Sequence, residues 1–114
     1  MADQIVRSRL QRAANELAAA RHLVAGSETR SYVEAVGEMI AYFCEQSPTS
    51  PEDYAFPQPM ALHTIERNLD ELATEATGEA AIALREAHDN VLAARERLEE
   101  LAATDRKWIK RPQD

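Results

Sequence analysis

Residues 78–110 read GEAAIALREAHDNVLAARERLEELAATDRKWIK. Taken in alternating steps of three and four, this stretch gives Leu84, Ala87, Val91, Ala94, Leu98, Leu101, Asp105 and Trp108, so seven of the eight seam positions are apolar. Charged residues fill much of the remainder, among them Glu86, Asp89, Arg95, Glu96, Arg97, Glu99 and Glu100. Neither glycine nor proline interrupts the run after Gly78. A sustained apolar spacing of this kind predicts one continuous helix packed along one side. At 1.5 Å per residue it spans roughly 48 Å, long for a chain of this size.

The same alternation appears at the other end of the chain. Val6, Leu10, Ala13, Leu17, Ala20 and Val24 predict a first helix over residues 3–25, stopped by Gly26 in a left-handed turn. Both seams alternate a larger aliphatic residue with alanine. Small side chains let two helices approach near the short end of the usual 8–10 Å separation. The first and last helices are therefore expected to pack on each other, or each on a second copy of the chain.

Between them lie two more helical patterns. Ser31-Tyr32-Val33-Glu34 matches a capping box and predicts a second helix over 31–46. Its stripe is Val33, Val36, Ile40 and Phe43, widened by Tyr32, Met39 and Cys44, which marks it as the most buried element. A start at Ser27 is the alternative. Leu62, Ile65, Leu69, Leu72 and Ala76 predict a third helix over 60–76, ended by Thr77-Gly78. Residues 47–59 hold four of the five prolines and form a proline-rich loop. The expected fold is all-α: two antiparallel helical hairpins forming a four-helix bundle, with a long C-terminal helix. Leu69, Leu72, Val91, Val36 and Ile40 are expected in its core.

Bulk properties narrow the function classes. The chain has 114 residues, enough for one helical domain without disulfides, and its single Cys44 rules out an internal one. There is no apolar leader and no run of membrane-spanning length, so a cytoplasmic protein is expected. The net charge is −7, which disfavours the surface as a whole for nucleic acid. That charge is uneven. Residues 1–30 carry five Arg against three acids, residues 31–105 carry four Arg against sixteen acids, and residues 106–114 carry four basic residues against Asp114. An acidic body thus has two basic ends.

No familiar catalytic pattern emerges, and the chain is expected to be a non-enzyme without cofactor or metal. His22, His63 and His88 lack a second ligand at helical spacing, and His63 with Glu66 reverses the order used by di-iron bundles. The many acids fall mostly off the apolar seams. There is no Gly-rich phosphate loop and no nucleophile with a partnered base. The segment His22-Leu23-Val24-Ala25-Gly26-Ser27 resembles the phosphoacceptor segment of histidine phosphotransfer domains, which are four-helix bundles. Those domains place Leu two residues, Lys three residues and Gly four residues after the histidine. Here Val24 takes the Leu place and Gly26 matches, while Ala25 stands where the cation belongs. The resemblance implies His22 as a phosphoryl acceptor lacking that cation.

The leading expectation is a small acidic interaction protein, an adaptor, inhibitor or assembly factor, that works through helix faces and forms a homodimer. Leu98, Leu101, Trp108 and Ile109 are the expected interface, because the shorter third helix covers the last one only to about Glu96, with Tyr54 and Phe56 as lids or anchors. Arg7, Arg9 and Arg12 are expected to join Arg106, Lys107, Lys110 and Arg111 in one anionic-partner patch. A nucleic-acid-linked regulator using these basic ends is the second expectation, and the phosphotransfer module the third.

Overall fold

The computed structural model describes residues 4–45 and 58–110, with side chains described for 5–44, 61–100 and Ala103. Tyr54, Phe56 and Arg111 lie outside the described residues, as do the side chains of Leu101, Arg106, Lys107, Trp108, Ile109 and Lys110. Four helices follow in order: α1 (Gln4–Ala20), α2 (Ser27–Glu45), α3 (Gln58–Glu75) and α4 (Gly78–Lys110). They form a compact all-helical bundle, and each predicted seam becomes part of one core.

The directions follow from named contacts. Cys44 donates its thiol to the Arg7 carbonyl and Arg21 pairs with Glu34, so α2 runs antiparallel to α1. Glu66 pairs with Arg95 and Asp70 with Arg85, so α3 and α4 form the second hairpin. Arg9 and Glu16 both bond to Asn90, and the chain after α1 meets the start of α4 where Val24 and Ala80 line one cleft. α1 is therefore antiparallel to α4 as well, giving an up-down-up-down arrangement.

The alanine-spaced seams meet. α1 and α4 lie along each other, and Ala13, Ala20, Ala87 and Ala94 are fully buried. Small residues at every second contact are what permit that approach. Gly37 plays the same part between α1 and α2: a Cβ there would stand 3.6 Å from Leu17 Cβ, in ordinary contact. Val36 and Ile40 of α2 and Ile65 and Leu69 of α3 are all buried, but these two helices do not approach closely along their lengths.

Three expectations change. α1 stops at Ala20, and His22 N and Leu23 N bond three residues back, to Ala19 and Ala20, tightening the chain into a turn. Gly26, at φ 87°, then reverses direction, a conformation that costs glycine little. α2 starts at Ser27, not Ser31, because Arg30 N already bonds the Gly26 carbonyl. Glu34 is thereby freed from capping and reaches Arg21 at 3.2 Å. Finally, α2 is not the most buried element. It packs closely on α1 alone, and Tyr32, Met39 and Tyr42 are exposed by 43%, 46% and 59%. α3 begins at Gln58, with Pro59 in the first turn, where its missing N–H breaks no helical bond.

Candidate interaction surfaces

The α1–α4 contact carries a polar cluster beside its apolar seam. Asn90 is buried at 7% exposure, and its side chain satisfies both of its polar atoms there. Arg9 Nη1 donates to Asn90 Oδ1 at 3.0 Å, while Asn90 Nδ2 donates to Glu16 Oε1 at 2.8 Å and to the Glu86 carbonyl at 3.2 Å. Arg12 lines the same shallow groove with Glu16, Glu86 and Asp89. Burial pushes the Glu16 carboxyl above its ordinary value, against the lowering effect of the Asn90 hydrogen bond; Glu86 and Asp89 push it up further and Arg12 pulls it down.

This cluster bears on the expected basic patch. The start of α1 and the end of α4 do lie at one end of the bundle. Yet Arg9 is spent on Asn90, and Arg12 faces the acids of α4. Cations at a helix start oppose its dipole, and the carboxylates of α4 supply an intramolecular reason for these two. Arg7 is exposed.

The cluster also gives a pH-dependent prediction. A carboxyl whose folded value is raised contributes most below its unfolded value, here the usual 4.5, and loses that contribution as pH rises through the raised folded value. Glu16→Gln keeps an acceptor for Asn90 without the charge. Its melting temperature is expected to exceed wild type near neutral pH and to fall back to it below about pH 4. A difference that does not vary with pH would show that Glu16 ionisation is not strained by folding.

The α3–α4 contact has its own buried acid. Glu66 is only 6% exposed and accepts a fork from Arg95: Nε to Oε2 and, at 3.0 Å, Nη2 to Oε1. Arg95 Nη1 also reaches Glu99 Oε2 at 3.0 Å. The hydrogen bond to Glu66 raises the proton affinity of Arg95 further, so the guanidinium stays charged. Such a bidentate pair fixes register as well as contributing energy. Asp70 and Arg85 form a second bridge at 2.7 Å; both are well exposed, so it adds little. The hydrogen bond from Arg85 holds the Asp70 carboxyl below its ordinary value.

His63 is exposed while Glu66 is buried and bound by Arg95, and among the described residues no group of three His, Cys, Asp or Glu side chains converges as metal ligands do. His22 sits exposed in the turn after α1. No described helix is long and apolar enough to cross a membrane.

Leu98 requires a correction. It is fully buried within its own chain, at the level where Val6 of α1 is also fully buried. α1 and α3 together cover α4 further than helix length alone suggests, so Leu98 is core and not an interface residue. Beyond it, neither α1 nor α3 continues alongside α4. The Glu66–Arg95 and Asp70–Arg85 pairs place Gln58, the first residue of α3, level with residues 97–103 of α4. The Arg9–Asn90 and Glu16–Asn90 bonds place Gln4 level with residues 95–102. Residues 104–110 continue as helix past both. That overhang is roughly 10 Å long.

A second surface escaped the sequence reading. Tyr32, Ala35, Met39 and Tyr42 are spaced as a further heptad seam on α2, rotated away from the buried set Val33, Val36 and Ile40. The Tyr42 and Phe43 rings meet edge to face with centroids 5.8 Å apart, at the border between the two seams. Arg21 and Glu34 mark the α1 side of α2, and the exposed stripe lies on the flank away from it. Ile5, Leu23 and Ile82 are exposed singly on other elements; isolated cases of this kind are ordinary on soluble proteins. Comparison of the chain with protein-family models, with curated proteins and with solved structures gives no match.

Proposed function

We propose that this chain is a small acidic interaction protein that works through its helix faces and pairs with a second copy of itself. The observation that carries this reading is the overhang of α4. Residues 104–110 are helical, with neither α1 nor α3 beside them. In sequence they continue the α4 heptad through Trp108, followed by Ile109. The last turns of a long helix with no neighbour among the described residues gain nothing from packing, which supplies most helical stability in proteins. A second copy supplies that packing, and two-fold pairing is the commonest closed form.

Light scattering tests it. The wild-type chain is expected at about twice 12.7 kDa at micromolar concentration, and Trp108→Glu at 12.7 kDa with the helices of the bundle retained. Leu98→Glu is the wrong probe, since it places a charge in the core. A wild-type mass of 12.7 kDa would remove the self-association reading.

A further inference from the structure

Resting on that self-association, we infer that the overhang of α4 in one copy docks on the Met39–Tyr42 end of the exposed α2 stripe in the other, and that the exchange is reciprocal.

Geometry brings the two surfaces to the same place. α2 and α4 are both antiparallel to α1, hence parallel to each other, so Glu45 closes α2 at the end of the bundle from which residues 104–110 project. The overhang leads away from its own bundle, and a continuous helix cannot fold back onto its own α2. A second copy turned by 180° across that end meets it antiparallel. Its α2 then offers the length from Met39 to Glu45, about 10 Å, to an overhang of the same length. The same rotation seats the other overhang, which makes the contact self-complementary and closed.

Charge complements the shape. Glu34 of α2 is already paired with Arg21, so Glu38 and, in sequence, Glu45 are the acids of the segment that the overhang reaches, and the last turn of α2 holds no basic residue. The negative end of its dipole is thus met by no cation of its own helix. Glu38 is exposed beside Tyr42 and makes no ion pair among the described residues. Residues 104–110 carry Arg106, Lys107 and Lys110 against Asp105, a net +2. In sequence, a segment with basic residues beside its apolar ones is thus matched with a segment that has acids beside its own. Buried aromatic anchors ringed by charge are the usual anatomy of such contacts.

The test compares masses of single variants and their mixture. Tyr42→Glu changes a residue that is 59% exposed, so the fold tolerates it. It is expected to give 12.7 kDa, as Trp108→Glu does. An equimolar mixture of the two regains the doubled mass in part, because each mixed pair keeps one intact contact: Trp108 of the first variant on Tyr42 of the second. Independently of mass, Tyr42→Cys copies mixed with Trp108→Cys copies are expected to form a disulfide-linked mixed dimer under a mild oxidant. If Tyr42→Glu keeps the doubled mass while Trp108→Glu loses it, or if the cysteine copies link only to their own kind, the inference fails and self-association stands. A wild-type chain of 12.7 kDa overturns both.

Discussion

Glu66→Ala is expected to cost about 3–5 kcal/mol of folding stability, the range for breaking a buried ion pair from one side. Glu66 is the buried partner, at 6% exposure, and Arg95 is mostly enclosed with it. Removing the carboxylate leaves a guanidinium that stays charged, with only the Glu99 bond at 3.0 Å to satisfy it. Removing both charges has a different cost. Glu66→Leu with Arg95→Met replaces the pair by apolar groups of similar bulk, and such exchanges are often neutral or better. Urea melts of the single and the double variant therefore separate two accounts. A large loss in the single that the double restores shows that the pair specifies the α3–α4 register more than it stabilises the fold. A single-variant loss below about 1 kcal/mol would show that solvent reaches Arg95 and that the fork behaves as a surface bridge.

Leu69→Ala is expected to cost about 2–5 kcal/mol, the lost transfer free energy of the side chain plus the cavity it leaves. Leu69 is fully buried, and so are Ile65 and Leu62 before it and Leu84 and Val91 on α4. With no exposure at the site the full transfer loss applies, and the upper half of the range is expected. Because a domain of this size has only about 5–15 kcal/mol in total, the variant is expected to melt well below wild type. A change near zero would place the α3 seam in solvent.

Much of this architecture is legible in the chain itself. The apolar periods of α1, α3 and α4 place Leu10, Leu17, Ile65, Leu69, Leu84 and Val91 in the core, and all are buried. The alanines alternating along α1 and α4 foretell which helices pack together. Boundaries are less legible where two signals compete. Ser31 and Glu34 have capping-box spacing, but Gly26 already turns the chain, and the helix begins as soon as it can. Burial of α2 is misread for a related reason. A stripe widened by Tyr32 and Met39 looks more buried, while in fact it is two seams with one of them outside; the spacing of Tyr32, Ala35, Met39 and Tyr42 is the signal that separates them. Glu66 and Asn90 are invisible to any rule that assigns polar residues to the surface, because their burial depends on Arg95 and Arg9 arriving from other helices. Arg9 and Arg12 look like a cationic patch in the sequence, since the acids opposite them lie more than seventy positions away.

Small-angle X-ray scattering over a dilution series tests the central claim, pairing through the end of α4. One chain measures 55 Å along its longest axis and 22 and 19 Å across. On raising the concentration to the micromolar range and above, the scattering mass is expected to rise from 12.7 kDa towards twice that value, and the maximum dimension to exceed that of one chain, because the copies meet at their ends. A mass of 12.7 kDa and an unchanged maximum dimension at every concentration would contradict it.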